Sequence, residues 1–385
     1  MKAFSLIWFL IIFLIPSFYS IPFIVKPNRD MTIYIAYIIP LIIVLQSLLF
    51  ALVLFTDNGP KKTTNKYLSL FLLILGLQFS AIVLEGFGFT NRFISGSQCA
   101  YGFAYGPLLY LYTHSLIYQS FPFKKKQLYH SIPFFTFLFA AAFGESFCSP
   151  LGVLLYVSLF IYLIFSIKEI ARYRKVIQET QSSMDRTDLV WLEWTMVIFS
   201  VSLLLDLIDQ LLWSLDLVAN ISSIHLTILL LINWIFYKGL KQPQIFLGIT
   251  KNDQEILQHK NNPSEEKIPD SDDQKELSRI QEFMGSTDVY TDSELNLKQL
   301  AKLIEITPRR LSYLINTFLH QNFMGFVNDY RIKEAKYRLE NSKDEKETIL
   351  EIMYDIGFNS KSSFNTLFKK QTGYTPSEYK KTHSN

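Results

Sequence analysis

The chain has little with which to do covalent or metal chemistry. Only two cysteines and six histidines are spread over 385 residues. Before Pro243 no zinc-ligand pair falls at helical spacing, and there is no glycine-rich phosphate loop, nucleophile elbow or kinase signature. Enzymes built on those motifs are excluded, and no cofactor or metal is expected. Two cysteines allow one disulfide at most. Charged residues are also sparse over most of this region, which excludes an ordinary soluble domain there.

What is abundant is apolar surface. Hydrophobic residues make up 49% of the chain, with 33 Phe and 21 Tyr, more than an average soluble protein carries. Most of the excess precedes Pro243, while the C-terminal third is rich in Lys, Glu, Ser and Asn. The net charge of +3 therefore matters less than where each charge sits relative to a bilayer.

Met1 and Lys2 precede an apolar run from Ala3 to Pro16. Residues 1–27 thus read as either a cleaved signal peptide or an uncleaved first span. Seven further stretches suit a bilayer core of about 30 Å, near Thr32 to Phe55, Tyr67 to Phe87, Ala100 to Gln119, Leu128 to Phe143, Leu151 to Ile167, Val190 to Leu215 and Ile221 to Tyr237. They predict a polytopic helical bundle over 28–242 that has the lipid bilayer as a partner. Lys61, Lys62 and Lys66 follow the first stretch, Lys124 to Lys126 the third, Lys168, Arg172, Arg174, Lys175 and Arg186 the fifth, and Lys238 and Lys241 the seventh, whereas the intervening loops hold only Arg92. Because basic loops stay in the cytoplasm, the C-terminal part is expected on the cytoplasmic side, where DNA is.

That topology puts Cys99 and Cys148 in outside loops, as a disulfide or as two free thiols. Asp206 and Asp209 lie three apart on the sixth stretch beside Gln210. They form either an intramembrane polar site for a cation, proton or polar ligand, or side-chain pairs that hold the bundle together.

A polar tether covers 243–273, and Leu277, Ile280 and Met284 then predict a short docking helix. The domain over 274–385 reads as all-α, with two helix-turn-helix units. In the first, Leu297, Leu300, Ala301, Leu303 and Ile304 form one apolar helix face, and Thr307 and Pro308 suit the cap and first position of a second helix. Leu311, Leu314, Ile315 and Phe318 form that helix's buried stripe, leaving Arg309, Arg310, Ser312, Tyr313 and Asn316 for base edges and phosphates. The second unit repeats the pattern with Ile349, Ile352 and Met353, a turn at Gly357, and a helix after Ser360 that leaves Lys361, Ser362, Asn365, Thr366 and Lys369 free. Ala301 aligns with Met353, Ile304 with Ile356 and Leu311 with Phe364, so an internal duplication is the economical account. A long helix around Phe326 to Leu339 sets the separation of the two reading helices, and successive major-groove visits require about 34 Å.

The stretch ILEIMYDIGFNSKSSFNTLFKKQTGYTPSEY, Ile349 to Tyr379, resembles the signature of the AraC family of bacterial transcription regulators, and NFMGFVNDYRIKEAKYRL matches as well. The resemblance covers about Leu295 to Lys381. It implies two helix-turn-helix motifs in successive major grooves of double-stranded DNA and regulation of a promoter. Two positions depart from the family pattern: Met353 stands where Ala is usual and Glu305 where Gly is frequent. The usual soluble input domain is absent, and the apolar bundle in its place resembles a membrane-anchored subgroup.

The expected whole is a multi-pass regulator of the bacterial inner membrane that responds to an unknown inducer, with a homodimer as the natural way to raise DNA occupancy. Two other classes stand beside it. One is a transporter-like protein with an appended regulatory domain, and the other is a passive anchor for a constitutive DNA binder.

Overall fold

The structure is a computed structural model that describes residues 29–59, 61–89, 91–119, 125–143, 148–183, 189–214, 224–241, 253, 271–341 and 347–383. The apolar segment 1–27, Lys124, Arg186 and the tether 243–270, Asp253 aside, lie outside the described residues. Two compact units divide the chain. The first comprises Met1–Ile170 and Leu189–Ile245, the second Ala171–Asp188 and Phe246–Asn385.

The first unit contains α1 (Arg29–Thr56), α2 (Lys62–Gly86), α3 (Arg92–Ile117), α4 (Ile132–Ala142), the first part of α5 (Cys148–Thr180), α6 (Val190–Ser214) and α7 (Ile224–Lys241). A helix stands at each of the seven expected stretches. Among the described residues, however, four are long and apolar enough to cross a membrane: Tyr37–Thr56, Lys62–Gly86, Val153–Thr180 and Val190–Asp209. Four of the seven expected spans thus meet both conditions among the described residues. With 11 residues, α4 rises only about 16 Å, half of a bilayer core of about 30 Å. The length of α3 suffices, but Arg92, Ser95, Ser97, Gln98, Thr113 and His114 dilute its apolar character.

Within this unit α2 packs against α1 and α3, α4 against α3, and α7 against α6 and α1. Gly102 and Gly106 on α3 permit a close approach, since a Cβ at Gly106 would lie 2.8 Å from the Tyr162 ring. Side-chain bonds to neighbouring helices add specificity: Thr64 Oγ1 donates to the Ser115 carbonyl at 3.0 Å, Ser69 Oγ to the Ala51 carbonyl at 2.7 Å, and Asn233 Nδ2 to Gln46 Oε1 at 2.7 Å.

The second unit contains the end of α5, then α8 (Ser271–Ser286), α9 (Leu297–Leu303), α10 (Pro308–Leu319), α11 (Phe323–Glu340), α12 (Ile349–Asp355), α13 (Lys361–Thr372) and α14 (Pro376–His383). Because α8 starts at Ser271, it begins inside the stretch read from sequence as tether. Two apolar cores form, and α11 belongs to both: Phe323, Phe326 and Val327 enter the first, Ile332, Ala335 and Leu339 the second. Tyr379 of α14 closes the second core, where burial and its bond to Glu340 push the phenol up to about 12.

Caps place the short helices. Asn296 and Gln299 form a capping box at α9, as do Thr348 and Glu351 at α12. Bonds from the Thr348 backbone and hydroxyl hold the Glu351 carboxyl below its ordinary range. Thr307 Oγ1 accepts from the Arg310 N–H at 3.2 Å with Pro308 in the first position of α10, and Ser360 Oγ accepts from the Ser363 N–H at 3.4 Å at α13.

The duplication is also visible in the two turns. Ile306 N–H donates to the Ala301 carbonyl at 2.9 Å, and Phe358 N–H donates to the Met353 carbonyl at 3.0 Å. Each bond closes a helix end over a left-handed residue. In the second turn that residue is Gly357, with φ +90°, and in the first it is Glu305, with φ +60°. A side chain in this region costs about 1–2 kcal/mol, so Glu305 carries strain that glycine avoids. Part of the relief is offset, because glycine frees the unfolded chain by about 0.4–1 kcal/mol. Glu305→Gly is therefore expected to stabilise the first helix-turn-helix by about 0.5–1 kcal/mol, measured as slower hydrogen exchange of α9 and α10. Unchanged or faster exchange would contradict the strain.

Candidate nucleic-acid interface

A helix-turn-helix reader needs its second helix held by an apolar stripe and its opposite face open. In α10, Leu311, Leu314 and Ile315 are fully buried in the first core. In α13, Phe364 and Phe368 are buried in the second. These stripes fix which side chains face outward.

On α13, Lys361, Ser362, Thr366 and Lys369 are exposed and Asn365 is half-buried. The five expected residues thus share one accessible side. The case of α10 is different. Arg309 is exposed, but Arg310 is paired with Asp273 and, through Nε at 2.8 Å, with Glu276 of α8. Its guanidinium also lies 5.6 Å from the centre of the Tyr313 ring, which packs against the first core. Ser312, expected on the open side, is 6% exposed. Asn316 is half-buried, and its Nδ2 donates to the Ser312 carbonyl at 2.9 Å and to Glu179 Oε2 at 3.0 Å. The expectation of five open residues on the first reading helix is therefore corrected. Their partners lie on α8 and at the end of α5, beyond the reach of helical periodicity.

One residue that organises the interface does not stand out in the sequence. Arg331 of α11 is fully buried. Its Nε donates to the Tyr290 carbonyl at 2.7 Å, Nη2 to the Asp292 carbonyl at 2.8 Å and the Ser182 hydroxyl at 3.0 Å, and Nη1 to the Ser182 carbonyl at 3.1 Å and to Asn328 at 3.2 Å. The available signal was its four-residue spacing from Ala335 and Leu339, which puts a cation on the buried stripe.

The remaining candidates lie in the first unit. Asp206 accepts a bond from the Tyr156 hydroxyl at 2.7 Å. Asp209 is half-buried, and the side chain of Gln210 lies outside the described residues. Cys99 is disulfide-bonded, and the side chain of Cys148 lies outside the described residues. No group of three or more His, Cys, Asp or Glu suited to a metal occurs among the described residues.

The family described as "Helix-turn-helix domain" matches residues 300–382. An uncharacterized HTH-type transcriptional regulator in the cgkA 5' region of Pseudoalteromonas carrageenovora is 36% identical over 76 residues, 19% of this chain and 43% of that protein. The arabinose operon regulatory protein of Escherichia coli strain K12 is 30% identical over 94 residues, 24% of this chain and 31% of that protein. Regulatory protein SoxS of the same strain is 27% identical over 101 residues, 26% of this chain and 92% of that protein. The chain thus spans less than half the length of the first two relatives. Among solved structures, the C-terminal domain of AraT, a response regulator from Geobacillus stearothermophilus, is similar at 25% identity, covering 29% of this chain and 87% of that one with a TM-score of 0.25. The names of these relatives are those of regulators, and residues 300–382 match a helix-turn-helix domain.

Proposed function

We propose that this chain is a membrane-bound, sequence-specific transcription regulator. Its C-terminal domain binds promoter DNA on the cytoplasmic side of a bacterial inner membrane, and its helical bundle anchors it and senses a cue. The observation that carries the DNA-binding reading is the paired architecture: two capped reading helices, α10 and α13, on two cores that share α11. Such a pair suits two visits to one face of a duplex. Supporting the membrane reading, the long apolar helices leave large side chains uncovered, among them Leu45, Leu52 and Val153, which lipid would cover at no cost in solvation. The basic loops favour a cytoplasmic C-terminus. The Tyr156 bond to Asp206 favours structural pairing there over a transport site. A ligand of the bundle acts only through its different affinities for two arrangements.

The test is selection of random duplexes by the full chain in detergent, at two salt concentrations. A split motif with half-sites about one helical turn apart supports the reading, and no enrichment by any variant overturns it. On the selected site, Asn365→Ala is expected to relax base preference at one position, while Lys369→Ala weakens all duplexes alike and lowers the salt slope by about 1. Equal loss of affinity without change of preference for both variants would remove Asn365 from base readout.

A further inference from the structure

Part of the face of α10 that would enter DNA meets a segment from elsewhere in the same unit: Ser312 is buried and Asn316 bonds to Glu179. Residues 171–182, the last turns of α5 and the two residues after it, belong to the DNA-binding unit by compactness. Their attachment is specific. Ser182 N–H donates to the Leu295 carbonyl at 3.1 Å, Gln181 forms an antiparallel bridge with Asn296, and Arg331 clasps the Ser182 carbonyl and hydroxyl. Glu179 is 5% exposed and accepts from Asn316 Nδ2.

We propose that the segment Ala171–Ser182 is an intramolecular mask, which occupies the reading face of the first helix-turn-helix and competes with DNA for it. The inference rests on the DNA-binding reading of α10. Three arguments carry it. An asparagine amide has two N–H donors, and those of Asn316 are spent on Ser312 and Glu179, so neither is left to bond a base edge. The carboxylate of Glu179 stands against Asn316 on that face, and its charge repels the phosphates of an approaching duplex. A helix with side chains is about 10–12 Å across and the major groove about 12 Å wide, so the groove admits α10 only without a second helix against its reading side. The asymmetry between the two helix-turn-helix motifs points the same way, since α13 keeps Lys361, Ser362, Thr366 and Lys369 exposed. With the mask docked, the protein holds DNA through the second helix-turn-helix alone, and release of the mask adds the first helix-turn-helix.

The test uses the full chain in detergent, a duplex carrying the selected site, and Glu179→Ala, with Glu179→Gln as the variant that keeps size and a bond acceptor. Two quantities are read: DNA affinity, and hydrogen exchange of residues 171–182 in the unaltered protein with and without duplex. The expected result is about tenfold tighter binding by Glu179→Ala, the fold-change corresponding to one charge-assisted hydrogen bond, a smaller gain for Glu179→Gln, and faster exchange of 171–182 when duplex is added. Equal affinities together with unchanged protection of 171–182 on a bound duplex would overturn the mask while leaving DNA binding intact. Failure of all three proteins to bind any duplex would overturn both.

Discussion

Arg331→Met is expected to lower the stability of the second unit by about 3–5 kcal/mol, read as faster hydrogen exchange of the α11 amides in the full chain. The size follows from what the side chain leaves behind. Methionine fills similar volume but donates nothing, so the carbonyls of Tyr290, Asp292 and Ser182 all lose a buried donor. Each unsatisfied buried group costs about 1–3 kcal/mol, and the sum is reduced because the cation no longer has to be desolvated. Arg331→Lys is expected to recover only part of the loss, since one ammonium cannot span carbonyls on three sides that a planar fork reaches. A loss below about 1 kcal/mol for the methionine variant would show that water replaces the guanidinium and that Arg331 is not the clasp between α11 and the segments packed on it.

Gly357→Ala is expected to cost about 2–5 kcal/mol, the sum of left-handed strain and overpacking. At φ +90° a Cβ would meet the Thr291 carbonyl oxygen at 2.6 Å and Arg331 Nε at 3.1 Å. The first contact is with backbone and cannot be relieved by a rotamer. Gly373 provides the comparison: its φ is +82° and nothing would lie within 4 Å of a Cβ there, so Gly373→Ala is expected to show the strain less the entropy that alanine removes from the unfolded chain, about 0.5–1 kcal/mol. The two are compared by exchange of the α12 and α13 amides. If both cost the same, the close approach of Thr291 contributes nothing and the turn shifts to accommodate the methyl group.

Much of the second unit was legible in the sequence because its determinants are local. Thr307 with Pro308, Ser360, and Gly357 announce helix starts and a left-handed turn within four residues of where they act. The apolar stripes on α10 and α13 follow from period alone. Leu303 is an exception, since it continues the stripe of α9 yet is 55% exposed. What was not legible depends on distant partners. Arg310 and Asn316 sit on the polar side of α10 and read as free, but Asp273, Glu276 and Glu179 meet them from 34 to 137 positions away. In the bundle, hydrophobic runs locate helices well but do not measure them. The 11 residues of α4 and the polar side chains of α3 keep these two helices out of the candidate spans.

The DNA-binding unit is assembled from two stretches of chain, Ala171–Asp188 and Phe246–Asn385, with α6 and α7 made between them. During synthesis the earlier stretch therefore waits while about 110 residues are added before Leu295, Asn296, Asn316 and Arg331, its partners, emerge. A protease that cuts in 243–270 would release a reader without its first stretch. Such a fragment keeps both reading helices but loses the oxygens of Ser182 that Arg331 holds. It would be a less durable molecule than its parent, and one that has lost the means of being switched off.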